Sequence, residues 1–132
     1  MEELQLKIRD YLAEQHPEWS ISQEQDTLVI DNNEGLEAFL AVSGEQILIE
    51  SLLFPVTAVK DPNAFNATVL RTHKLFPLST VGISTINGDE YYSAFGALSA
   101  QSKLESISIE VAALFNNVEA FVEFYQDYLA GA

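Results

Sequence analysis

Apolar residues change period along this chain, and the changes mark its elements. Between Gly96 and Leu129 they recur at Leu104, Ile107, Val111, Leu114, Val118, Phe121, Tyr125 and Tyr128, in alternating steps of three and four. That is the period of a helix with one buried face, and Phe115, Val122 and Leu129 widen the stripe beyond a coiled-coil seam. Ser102-Lys103-Leu104-Glu105 reads as a capping box, with the Ser102 hydroxyl accepting from the Glu105 N–H. The helix is expected to start there and run for about 27 residues, roughly 40 Å. The rest of the chain supplies the surface on which it lies.

At the other end, Leu4, Ile8, Tyr11 and Leu12 share one helical face and predict a helix over 2–15. Glu2 and Glu3 suit its N-terminal dipole, and Pro17 ends it by pushing His16 out of the α region. Trp19 then anchors that helix to the first strand. Segments 20–23 and 27–30 flank the polar Glu24-Gln25-Asp26, and 36–42 and 46–54 flank Ser43-Gly44-Glu45, which together predict a four-stranded antiparallel meander. Asp61 and Pro62 open a second helix as N-cap and first helical residue. Its inner face is read as Phe65, Val69, Thr72 or His73, and Phe76, with Pro77 as the stop. Asn87-Gly88 is a strong hairpin signal between 79–86 and 90–98. The resulting order is α-β-β-β-β-α-β-β-α, an α+β fold in which an antiparallel sheet packs against helices and a long C-terminal helix closes the chain.

One strand departs from half-buried alternation. In Gln46 to Phe54, Ile47, Ile49 and Leu53 point one way while Leu48, Leu52 and Phe54 point the other, with only Glu50 and Ser51 interrupting the two sets. One set needs a cover beyond the first layer of helices: the middle helix, another subunit or a client segment. Burying three such side chains contributes roughly 5–8 kcal/mol. The expectation is a homodimer whose interface includes Leu48, Leu52 or Phe54. On the long helix, Ile109 and Phe124 lie off the main stripe and are read as a second contact site, or else as residues packed against a loop.

The charge balance narrows the partners. Twenty acidic residues oppose six basic ones, for a formal net charge of −14 over 132 residues. No Lys or Arg occurs between Asp10 and Val59, whereas Lys60, Arg71 and Lys74 face only Asp61 in the stretch up to Phe76. Such charge repels phosphate backbones and anionic lipid, which argues against nucleic-acid and membrane-surface roles. With 48% hydrophobic and 20% charged residues, one globular domain over 1–132 is expected. No run approaches the ~20 apolar residues that span a bilayer, and Met1-Glu2-Glu3 lacks the features of a signal peptide. These readings place the protein in the cytoplasm.

Candidate chemistry is sparse. There is no cysteine, hence no thiolate nucleophile or Cys-based zinc site. His16 and His73 lack helical metal-site spacing; His73 reads as a hydrogen-bonded, partly buried residue and His16 as a helix terminus. Ser84 and Ser93 sit on strands without a nucleophile elbow, and Gly82, Gly88 and Gly96 form no phosphate loop. Asp26, Asp31, Glu34, Asp89 and Glu90 lie in turns without EF-hand spacing. No catalytic, cofactor-binding or metal residue is assigned, and no cofactor is expected.

Phe76-Pro77-Leu78-Ser79-Thr80-Val81-Gly82-Ile83, then Gly96-Ala97-Leu98-Ser99-Ala100 and the helix from Ser102-Lys103-Leu104-Glu105 to Tyr125 and Tyr128-Leu129, resemble the YjfI-like bacterial family of unknown function over the whole chain. That resemblance implies a cytoplasmic bacterial protein, some family members being encoded beside a PspA-like membrane-stress protein, and it brings no catalytic residues. The element order also resembles the type III secretion chaperone-like fold, which includes small acidic binding proteins. The expected function is a non-enzymatic protein-binding or chaperone-like module with a possible PspA-like partner. The alternative is a small-ligand-binding protein or enzyme with a pocket between sheet and long helix.

Overall fold

A computed structural model describes residues 2–76 and 78–130. The Glu2 side chain and Pro77, expected to favour the start of the first helix and to stop the second, lie outside the described residues. Helix α1 covers Glu2–Gln15, followed by β1 (Ser20–Glu24), β2 (Thr27–Asp31), β3 (Glu37–Ser43) and β4 (Gln46–Pro55). Then come α2 (Pro62–Thr72), β5 (Thr80–Ile86), β6 (Asp89–Ser99) and α3 (Leu104–Phe124). The α+β order read from the sequence is the order observed.

Turn chemistry fixes the register. Asn87 and Gly88 both take positive φ, 52° and 86°, the backbone that a two-residue hairpin requires. Asp61 caps α2, its Oδ1 accepting from the Ala64 N–H at 3.2 Å. Asp31 and Asn32 tie the turn before β3, accepting from the N–H groups of Asn33 and Glu34 respectively.

All strand pairs are antiparallel, in the spatial order β1-β2-β3-β4-β6-β5. The three helices lie on one face. Ile8 and Leu12 of α1, Phe65 and Val69 of α2, and Ile107, Val111, Leu114, Val118 and Phe121 of α3 share a core with Leu28, Ile30, Leu40, Ile47 and Ile49 of the sheet. Thus α2 does not cover the second face of the sheet. It seats Phe65 edge-on against Tyr92 of β6 and Tyr125 beyond α3, with ring centroids 4.8 and 5.1 Å away.

Two features of α3 differ from expectation. The capping box does not form: Lys103 takes the N-cap position and no side chain caps the helix. The helix starts at Leu104, which places Ser102 one residue too early for its hydroxyl to reach the first free N–H groups. The helix also ends at Phe124, after 21 residues, because the chain turns back onto the segment before α2. There Leu129 forms a bridge with Val59, Lys60 donates to the Tyr128 carbonyl, and Tyr128 and Tyr125 bond Thr68 and Thr72 of α2 through their hydroxyls. Val122, read as part of the stripe, is 38% exposed.

Candidate functional site

The register places one side-chain cluster on the sheet face away from the helices. Along β4, Ile47, Ile49 and Ser51 are buried toward the core, so period two sends Leu48, Glu50 and Leu52 outward. Glu50 stands opposite Phe39 of β3 on one side and Phe95 of β6 on the other. Leu48 and Leu52 lie above and below it on its own strand, so Glu50 is the centre of a cross of four apolar side chains. Phe39, Leu48, Leu52 and Phe95 are each half-buried, yet none packs against the core. Val29, opposite Phe39, extends the patch onto β2.

The Glu50 carboxylate is positioned rather than loose. Its Oε2 accepts from the Ser84 hydroxyl at 2.7 Å, and Ser84 shares a second hydrogen bond of 3.1 Å with Ser93. Small residues make this possible: Ser93 lets the Glu50 side chain cross β6, and Gly82 leaves room for the Phe95 ring. A Cβ on Gly82 would stand 3.1 Å from a Phe95 ring carbon.

Of the five contact residues read from the sequence, Leu48 and Leu52 share this face and Phe54 does not. The β4–β6 register shifts between Leu52 and Phe54, a bulge that inserts Leu53 and reverses the alternation. Phe54 therefore pairs with Tyr92 and packs against the core, its ring 5.9 Å from that of Phe65. Ile109 and Phe124 are 54% and 52% exposed on α3, on the helix side of the molecule. Fifteen residues, roughly 22 Å of helix, separate them, so they do not form one site. Phe124 also meets Phe76 edge-on at 5.6 Å.

A second apolar surface lies where α2 meets the edge strand β5. Asn66, Val69, Leu70, Val81, Ile83 and Tyr92 line a groove of about 260 Å³, with Leu70 largely and Ile83 about half exposed. His73 closes one end of that edge, its Nε2 accepting from the Val81 N–H at 3.2 Å. The hydrogen-bonded, half-buried reading of His73 is what the structure shows.

His16 is more than a helix terminus. Its ring stacks on Trp19 at 3.7 Å, Nε2 lies 2.8 Å from the Ser108 hydroxyl of α3, and Nδ1 lies 3.6 Å from Glu18. The residue types are those of a Ser-His-carboxylate triad, but the setting is not that of a nucleophile. Ser108 lies within α3, its own backbone committed to the helix, is buried, and does not line the neighbouring cavity between Trp19, Asn32 and Phe115. The arrangement joins the end of α1 to α3, with Trp19 meeting Phe115 edge-on. The space between sheet and α3, where the alternative reading puts a pocket, is filled by the core side chains named above.

Among the described residues Glu110 is the one buried acid. It is 7% exposed, its Oε2 has no hydrogen-bond partner among the described residues, and burial raises its pKa. Burial, with the nearby Glu90 charge second, also raises the pKa of the Tyr92 hydroxyl, which donates to Asn66. Among the described residues no group of three His, Asp or Glu converges on a metal-holding geometry, and no helix is long and apolar enough to cross a membrane.

Sequence reasoning passed over Glu50, Ser108 and Glu110, although a signal existed for each. Glu50 shares the period-two set of Leu48 and Leu52. Glu110 stands three residues after Ile107 and four before Leu114, within the buried stripe of α3, and Ser108 stands three before Val111 on its margin.

Comparisons with known proteins agree with this architecture. A family profile described as an uncharacterized protein conserved in bacteria (DUF2170) matches residues 2–129. The YjfI protein of Escherichia coli K12 is 36% identical over 110 residues, which span 82% of this chain and 83% of that protein. Among solved structures, a chain of the HopA1–SchA chaperone–effector complex superposes with a TM-score of 0.68 at 15% identity, covering 91% of this chain and 94% of that one. A chain of the ExsC–ExsE complex gives 0.66 at 17% identity and covers 96% of each. At these identities the likeness establishes the fold.

Proposed function

This chain belongs to the DUF2170 family of bacterial proteins, and we propose that it is a protein-binding, chaperone-like module that docks a partner polypeptide on the open face of its sheet. The observation that carries this reading is the uncovered cross of Phe39, Leu48, Leu52 and Phe95, apolar side chains on a face that no described element packs against. An exposed apolar patch rimmed by polar residues is characteristic of an interaction surface. That two solved proteins of this fold were captured in complexes, one of them named chaperone–effector, supports the same reading. Of the occupants considered from sequence, a second copy or a client segment, the client is the one put forward.

The PspA-like membrane-stress protein suggested by the family resemblance is the first partner to examine. The test compares what co-purifies from the native host with the wild-type chain and with Leu48→Asp/Leu52→Asp. A partner retained by the first and lost by the second, at unchanged circular dichroism, supports the reading. Equal recovery with both chains counts against it.

A further inference from the structure

Any partner that covers the apolar cross must also cover the Glu50 carboxylate at its centre. Ser84 satisfies one carboxylate oxygen; the other, Oε1, takes no hydrogen bond among the described residues. A carboxylate moved out of water without a charged or hydrogen-bonding partner is strongly unfavourable, so an uncharged apolar segment seated here meets an electrostatic penalty at the middle of its footprint. A cation at that point removes the penalty and adds a charge-assisted bond.

The chain cannot supply that cation from its own sheet. None of the six strands contains a Lys, Arg or His, and the other charged residues turned to this face, Glu24, Asp31, Glu37 and Asp89, are acidic and stand near its rim. A second copy placed face to face would bury two such carboxylates with nothing to pair them. The charge of the face therefore selects a different chain over a self-pairing one.

We propose that the face recognises a partner segment in which a single arginine is flanked by apolar residues, the guanidinium pairing with Glu50 and the apolar residues covering Leu48 and Leu52. Arginine fits better than lysine for two reasons. Its planar fork matches a carboxylate whose second oxygen is already fixed by Ser84, and its flat face can lie against the rings of Phe39 or Phe95, which flank Glu50 on the neighbouring strands. The Ser84–Ser93 pair holds the carboxylate in place before the partner arrives, which limits the ordering needed on binding.

This inference rests on the docking reading above, and the experiment separates the two. A displayed library of short random peptides is selected in parallel against the wild-type chain, Glu50→Gln, Glu50→Arg and Leu48→Asp/Leu52→Asp, each checked for folding by circular dichroism. The expected result is that wild type enriches peptides with arginine between apolar residues, by about tenfold over the library, the equivalent of 1.4 kcal/mol. Glu50→Gln should keep the apolar preference and lose the arginine, and Glu50→Arg should replace it with Asp or Glu. Apolar binders that show no arginine preference on wild type, yet are lost on Leu48→Asp/Leu52→Asp, overturn the arginine assignment and leave the docking face standing. A library that yields no binders, or binders indifferent to both sets of substitutions, overturns the docking face and the arginine assignment with it.

Discussion

Phe54 stands opposite Tyr92 across the β4–β6 ladder, with ring centroids 5.7 Å apart on the helix side of the sheet. One inserted residue, Leu53, produces this, and it separates the apolar positions of β4 into two groups with different roles. Residues before the bulge obey the alternation that exposes Leu48 and Leu52. Phe54, after it, belongs to the aromatic group of Phe65, Tyr92, Tyr125 and Tyr128 beneath α2.

That division predicts unequal costs for truncation. Phe54→Ala should lower stability by about 3 kcal/mol, the low end for large-to-small aromatic changes in a core. Leu48→Ala and Leu52→Ala should each cost about 1 kcal/mol or less, as changes outside the core do. Urea unfolding monitored by circular dichroism measures all three; similar losses at Leu48 and Phe54 would mean that the outer face is structural.

Glu110 makes stability depend on pH in a definite direction. Its folded-state pKa is raised by burial, so the folded chain holds that proton at pH values where the unfolded chain has released it. Its contribution is therefore fully present below the ordinary carboxylate range and is lost as pH rises through the raised value. Glu110→Gln removes this dependence. The variant should be more stable than wild type at neutral pH, by about 1–3 kcal/mol as for relief of an unsatisfied buried group, with the advantage shrinking as pH falls from the raised value toward the ordinary carboxylate range. Melting temperatures of the two proteins across pH 4 to 8 check the sign.

The exposed residues of α3 should differ from each other. Ile109→Gln is expected to change stability by no more than about 0.5 kcal/mol. Phe124→Gln should cost about 1 kcal/mol, because its ring contacts Phe76 and Tyr125. Denaturant midpoints of the two single variants make the comparison, and equal midpoints would show that the ring contacts carry little.

His16 ties α1 to α3 through Trp19 and Ser108, and Trp19 is the chain's single tryptophan. His16→Ala should shift Trp19 emission to the red and lower stability by about 1 kcal/mol, the size of one hydrogen bond with its stacking contact. Fluorescence spectra recorded alongside unfolding curves report both effects; an unshifted emission would place the Trp19 ring in the same surroundings without its partner.

Most of the architecture was legible because local signals agreed with tertiary packing. Pro17 ended α1, Asp61-Pro62 opened α2, Asn87-Gly88 fixed the last hairpin, and the stripe from Ile107 to Phe121 announced the buried face of α3. The misses have physical causes. A bulge shows no mark in composition, so strict alternation put Phe54 on the wrong face. The capping box depended on where α3 begins, and a shift to Leu104 was enough to undo it. The length of α3 was set by contacts of Leu129 and Tyr128 with a segment some 70 residues earlier, roughly the separation of Val59 from Leu129, and local periodicity carries no trace of such contacts. Glu50 was visible within the β4 pattern, but its position between Phe39 and Phe95 required the register of three strands.

Docking of partners on the outer face of the sheet can be located by photo-crosslinking at single positions. A photoreactive amino acid is placed in the native host at Phe39, Leu48 and Leu52 on that face, and at Ile109, Lys74 and Glu123 on the helix side. A discrete crosslinked species is expected from the first three positions, abolished by Glu50→Arg, and none from the other three. Adducts confined to the helix-side positions would contradict docking on the outer face.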